Sequence, residues 1–235
     1  MNARHLLLVL AIVAGGALSA HPADAREFTL GAQYRYWSFA DGNDLRDPVL
    51  YAKSGAFDVQ AERWLPLRGA DQTRIEAGAF VKDARRSAYS LRWRHEAAQE
   101  RLWFGTEQVV GARTVLRATT GPLLPHDGGD VKFVWEAGAD VYWGSYSFAG
   151  ATAVRDPRDG GLWSWPLRVR FATERNDWLQ CTAVPADRRT FGWAVDAKWR
   201  VLRVGIERND RFDFTARDNV IFTLGLERTF GAPPR

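Results

Sequence analysis

Residues 193–200 read Trp-Ala-Val-Asp-Ala-Lys-Trp-Arg, and in them Trp193, Val195, Ala197 and Trp199 interleave with Asp196, Lys198 and Arg200. The same alternation sets Leu167, Val169 and Phe171 against Arg168, Arg170 and Glu174, and Phe57, Val59 and Ala61 against Asp58, Gln60 and Glu62. A strand sends successive side chains to opposite sides, so each segment is a ribbon with one oily and one ionic face. No segment carries a sustained 3.6-residue apolar stripe with caps, which makes the chain all-β.

Working outward from these ribbons, candidate strands recur from Phe28 to about residue 229, and they predict roughly twelve strands with a range of ten to fourteen. Asp41 to Pro48 reads as a loop because Gly, Asn and Asp favour turns over pairing. Gly121 to Asp130, broken by Pro122 and Pro125, reads as a longer loop, and Asp156 to Gly161 as another. Glu-Arg-Asn-Asp occurs at both 174 and 207 and marks the polar ends of similar hairpins. Without a fixed period, a propeller or solenoid is disfavoured.

The N-terminus reads as an export signal over residues 1–25: Arg4 and His5 precede the apolar run Leu6 to Val13, and Ala23-Asp24-Ala25 supplies the cleavage site. Residues 26–235 then form one domain, since β domains often reach ~200–250 residues undivided. No later stretch approaches the ~20 apolar residues of a helical span, so any membrane crossing uses strands. Cys181, the single cysteine, excludes an internal disulfide and is expected to be a buried, inert thiol. The net charge of +4 is small, and no basic run interleaved with aromatics points to nucleic acid.

Alternation alone does not separate a membrane barrel from a soluble sandwich, whose oily face would meet a second sheet. Eleven tryptophans, many beside strand ends, suit the headgroup level of a bilayer. Several segments also reach the ~9–11 residues of a tilted membrane strand. The last strand, with Val220, Phe222, Leu224, Leu226 and then Phe230, resembles the amphipathic closing strand by which outer-membrane barrels are recognised for assembly. It departs from that form by continuing to Arg235. The chain thus resembles small Gram-negative outer-membrane barrels, and its Tyr-rich opening strand before a Gly/Asp/Asn loop resembles YaiO-type outer-membrane proteins. This implies a single antiparallel up-and-down transmembrane barrel with periplasmic termini and long outer loops. Outer-membrane lipid, lipopolysaccharide and the barrel-assembly machinery are the implied partners.

With the oily faces outward, the inner set includes Arg92, Arg94, Arg168, Arg170, Lys198 and Arg200 against Glu136, Asp140, Glu174 and Asp196. With Asp58, Glu62, Glu76, Glu96 and Glu227 added to these acids and Arg35, Arg74 and Lys132 to these bases, nine acids face nine bases, so cross-strand ion pairs filling a narrow lumen are expected. The alternative is an anion path along Arg92, Arg94, Arg168 and Arg170, whose guanidinium groups bind carboxylates in forks.

Dedicated chemistry is sparse. His95 lies near Glu96, Ser87 and Ser90, a loose Ser-His-Glu set that would suit a lipid hydrolase. Its alternation places it with Tyr89, Leu91 and Trp93 on the outer face, where a structural interface histidine is the simpler reading. His126, in a Pro/Asp/Gly loop, reads as solvated. Asp41, Asn43, Asp44 and Asp47 miss the calcium-loop spacing, and neither a metal nor a cofactor is expected. Trp143, Tyr146, Trp163 and Trp165 read as a membrane girdle, or else as sugar-stacking rings of a polysaccharide-binding surface. The functional expectation is a non-enzymatic envelope barrel, acting as a narrow solute path or as an accessory of surface polysaccharide export. A soluble periplasmic or secreted carbohydrate-binding sandwich is the alternative.

Overall fold

The computed structural model describes residues 28–54, 57–82, 86–157, 161–174, 177–187, 190–209 and 218–231; the export signal lies outside them. The strands are β1 (Phe28–Phe39), β2 (Leu45–Ser54), β3 (Phe57–Pro66), β4 (Gln72–Lys82), β5 (Ser87–His95), β6 (Gln99–Val110), β7 (Thr114–Pro125) and β8 (Lys132–Tyr142). They continue with β9 (Phe148–Arg155), β10 (Trp163–Ser164), β11 (Leu167–Glu174), β12 (Asp177–Pro185), β13 (Phe191–Trp199), β14 (Leu202–Asn209) and β15 (Asn219–Phe230).

Each long strand pairs antiparallel with its neighbours in sequence, and β15 closes on β1 from Phe28↔Phe230 to Phe39↔Asn219. Fourteen strands therefore form one closed barrel without edges. This corrects the expected number of about twelve to the top of its range. It also corrects the two-layer sandwich: there is one sheet, closed on itself.

Proline explains the missing strand β2 and also where two other strands depart from their expected bounds. Asp41 to Pro48 is loop only to Asp44, and β2 begins at Leu45. The β2–β3 ladder skips Asp47 and Pro48 and resumes at Val49↔Glu62, because Pro48 has no N–H to give. β7 likewise runs through Pro122, where the β6–β7 ladder lapses between Arg101↔Leu123 and Phe104↔Thr120. Beside it, the backbone approaches so closely that a Cβ on Gly121 would lie 1.7 Å from the Leu102 carbonyl oxygen. β10 is a third case. Trp163↔Arg155 and Leu167↔Ala151 share one register on β9, so β10 is the opening of β11 cut off at Pro166.

Of the six connections nearest the termini, the shortest join Ser54 to Phe57, Glu174 to Asp177 and Trp199 to Leu202, and the longest spans 143–147. At the opposite end the connections are longer on the whole, from 96–98 to 210–218. The long outer loops expected from the sequence are not part of this fold.

Exposure is reversed relative to a water-soluble protein. Leu50 (63%), Phe171 (58%), Leu224 (58%) and Leu226 (60%) are exposed on the outside, whereas Asp47 (0%) and Asp140 (3%) are buried inside. Trp37, Phe39, Leu45 and Ile221 form an apolar cluster with Trp64 on the inner wall, near the end opposite the termini. Cys181 is exposed on the outer face, correcting the expectation of a buried thiol: its register partner Val169 shares the side of Leu167 and Phe171.

Candidate functional site

The inner wall divides into two charge patterns. Across β1–β5, arginines and carboxylates alternate in an unbroken chain. Arg35 contacts Asp47 (2.5 Å) and Glu62 (3.0 Å), and Arg74 contacts Glu62 (3.2 Å) and Glu96 (2.5 Å). Arg94 contacts Glu96 (3.5 Å) and donates from Nε to Glu76 (2.7 Å), while Arg92 reaches Glu76 (3.2 Å) and Asp58 (2.8 Å). Register produces this chain: Glu62↔Arg74 and Glu76↔Arg94 are direct cross-strand pairs on one face. Its buried members, Asp47, Glu62 and Arg74, depend on mutual pairing, since an isolated ion loses on the order of several kcal/mol of hydration on burial.

Across β6–β14 the ion pairs no longer form one continuous chain. Arg117 (3.0 Å) and Arg168 (3.4 Å) share the single carboxylate of Asp140, and Arg101 pairs with Asp156 at 3.3 Å. Arg170 donates to the neutral Gln180 at 3.0 Å and lies over Trp178, 4.3 Å from its centroid. Arg203 contacts Asp196 at 3.2 Å. Lys198 binds Glu227, which also accepts a bond from the Tyr51 hydroxyl at 2.5 Å. Glycine makes room for the shared acid. A Cβ on Gly150, cross-strand from Asp140, would sit 1.8 Å from its Oδ1.

Between the two walls lies an interior cavity of about 540 Å³, lined by Arg92, Arg94, Arg101, Arg117 and Arg168 with Glu76, Glu107, Glu136 and Asp156. Of the residues singled out from the sequence, Arg92, Arg94, Arg168 and Glu136 line this cavity, with Asp140 bound to Arg168. Arg170, Lys198 and Asp196 sit on the inner face beyond its lining. Glu174 and Arg200 do not join them. The β11–β12 register slips between Ala172 and Glu174, leaving Glu174 exposed at the rim. Arg200 occupies the β13–β14 turn at φ 54°, its N–H bonded to Asp177 Oδ1 at 2.6 Å.

Asp47, Arg101, Arg117, Asp156 and Arg203 were not singled out as site residues. Arg117 and Arg203 follow from alternation once their strands are placed, whereas Asp47 was hidden by the proline beside it.

The aromatic set divides between the two ends. Trp143 and Tyr146 lie in the connection from β8 to β9, and Trp163 and Trp165 follow the opposite end of β9. The four do not form one sugar-stacking surface. The Ser-His-Glu set is also not assembled: Ser90 lines the interior, Ser87 bonds Gln108 at 2.6 Å, and Glu96 bonds Arg74. His95 points outward and bonds Glu100 instead, at 2.6 Å. His126, read as a solvated loop residue, joins the same carboxylate at 3.2 Å.

A closed antiparallel barrel with an apolar exterior and an interior of paired charges has the architecture of the outer-membrane porins. It superposes on the KdgM porin with a TM-score of 0.51 at 8% identity, covering 86% of this chain and 99% of that one. A KdgM porin in complex with disordered oligogalacturonate superposes with a TM-score of 0.51 at 7% identity, covering 87% and 99%. No family model and no curated relative matches the sequence.

Proposed function

We propose that this protein is an outer-membrane barrel offering a narrow path for small solutes, with carboxylate-bearing sugars the first class to test. The membrane setting rests on the outward side chains. Each large apolar group held in water forgoes roughly 1.5–3 kcal/mol that burial would provide, a loss that hydrocarbon removes. Periplasmic termini follow from the usual arrangement of such barrels, whose shorter turns face that side.

The observation that carries the solute path is the cavity between the Arg92/Arg94 and Arg117/Arg168 walls. On the second wall, Arg117 and Arg168 share Asp140 and Arg170 has a neutral partner, so guanidinium forks that can hold a passing carboxylate stand along the path beside the acids Glu107 and Glu136. The KdgM structure with an acidic oligosaccharide supports that solute class. Planar-bilayer recordings test the reading: the wild type should give discrete steps with a preference for anions, and Arg117→Glu with Arg168→Glu should shift the reversal potential towards cations. Absence of steps above the bare bilayer, or identical reversal potentials, rejects it.

A further inference from the structure

We propose that His95, Glu100 and His126 form a binding site for one divalent transition-metal ion of the zinc or copper class, on the outer rim of the barrel opposite the termini. The three side chains come from neighbouring strands. His95 ends β5 and is the register partner of Glu100 in β6. One residue beyond β7, the His126 N–H continues the ladder by donating to the Ala98 carbonyl at 2.9 Å. All three ligand atoms lie within 4.8 Å of one another.

Hydrogen bookkeeping gives the cluster its chemistry. His126 Nδ1 lies 3.2 Å from the Ala97 carbonyl oxygen, which only accepts, so that nitrogen carries the proton. His126 Nε2 then faces Glu100 Oε1 at 3.2 Å, and a carboxylate also only accepts. A neutral imidazole has one N–H, so the Nε2–carboxylate contact calls for one more bridging centre: a proton shared between Nε2 and the carboxyl, or a metal ion held by both. A bond from the other ring nitrogen to a backbone carbonyl is the outer contact that orients a metal-binding histidine. Glu100 faces both histidines through Oε1, and its buried Oε2 has no hydrogen-bond partner among the described residues, so the carboxylate keeps lone pairs that no protein donor satisfies.

The donor set of two imidazoles and one carboxylate selects zinc, copper or nickel over magnesium or calcium. Ligands of a tetrahedral zinc stand about 3.3 Å apart for bonds near 2.0 Å. The His126–Glu100 spacing already fits, and the 2.6 Å His95–Glu100 hydrogen bond opens by under about 1 Å when a metal replaces its proton. His95 and His126 are partly exposed, which leaves ion access and room for a water as fourth ligand. A bound ion would tie the β5–β6 turn to the β7–β8 connection.

Isothermal titration of zinc into untagged, full-length protein folded in detergent tests the site. His5 and His21 are replaced by alanine in every sample, so that His95 and His126 are the remaining imidazoles. One equivalent of zinc should bind near neutral pH. His126→Ala, His95→Ala and Glu100→Gln should each weaken it by more than about tenfold. Heat-modifiable migration establishes that each variant is folded, and His95→Gln is a second variant should the alanine form fail to fold. Zinc affinity unchanged by these substitutions, or no saturable binding to the folded wild-type barrel, overturns the proposal.

Discussion

Arg35 and Asp47 face each other across β1 and β2 at 2.5 Å, with Asp47 wholly buried and its neighbour Pro48 out of the β2–β3 ladder. The strand tolerates the proline because its other edge remains paired, Pro48 opposite Tyr34. The acid is tolerated because Arg35 meets it and links it to Glu62.

Removing Arg35 leaves the wholly buried Asp47 without its ion-pair partner, while Glu62 keeps Arg74. Arg35→Ala should therefore destabilise the barrel by about 3–5 kcal/mol, the usual cost of breaking a buried pair. Urea unfolding in detergent, followed by tryptophan fluorescence, measures it. A loss within ~1 kcal/mol, the range of an exposed ion pair, would show that the Asp47 carboxylate is hydrated.

Adjacent residues of β13 test which face meets lipid. Val195→Arg places a charge on the outer face and should cost about 2–4 kcal/mol if it lies near the bilayer midplane. Ala194→Arg, one residue away and paired with Glu207, faces inward and should be nearly neutral. Equal costs in folding titrations into lipid vesicles would contradict the assignment of faces.

Any side chain at position 150 displaces Asp140. Gly150→Val should release Arg117 and Arg168 from their shared acid and strengthen anion preference in bilayer recordings, opposite in sign to the double charge reversal. An unchanged reversal potential would show that this pair does not sense the permeating ion.

Acid stability should depend in part on Asp44, in the turn after β1. Its carboxyl is held below the usual carboxylate range by the Tyr36 hydroxyl and by the Phe39 N–H at 3.0 Å. A folded-state pKa below the unfolded value of ~3.9 gives stability that is present above that value and lost as pH falls through the folded one. Asp44→Asn should flatten the profile across that acid window and leave its shape above about pH 5 unchanged. Parallel profiles for wild type and variant would remove Asp44 from the acid response.

The alternation around Leu167, Trp193 and Phe222 made the strands, and the two chemically distinct faces, legible from residue order. β2 escaped because local composition counts Asp47 and Pro48 as turn formers, and only their cross-strand neighbours outweigh that preference. The inward positions of Arg168 and Asp140 followed from parity. Glu174 and Arg200 broke the same rule because a bulge and a left-handed turn reset it, and neither device leaves a mark on a period of two.

Residue order thus determined what each strand shows to its two sides, because the direction of a side chain in an extended backbone is a local property. Partners were decided by closure. Asp47 with Arg35, Asp140 shared by Arg117 and Arg168, and His126 brought to Glu100 all depend on register between strands, which is set by the whole ring of hydrogen bonds. No single segment contains that information.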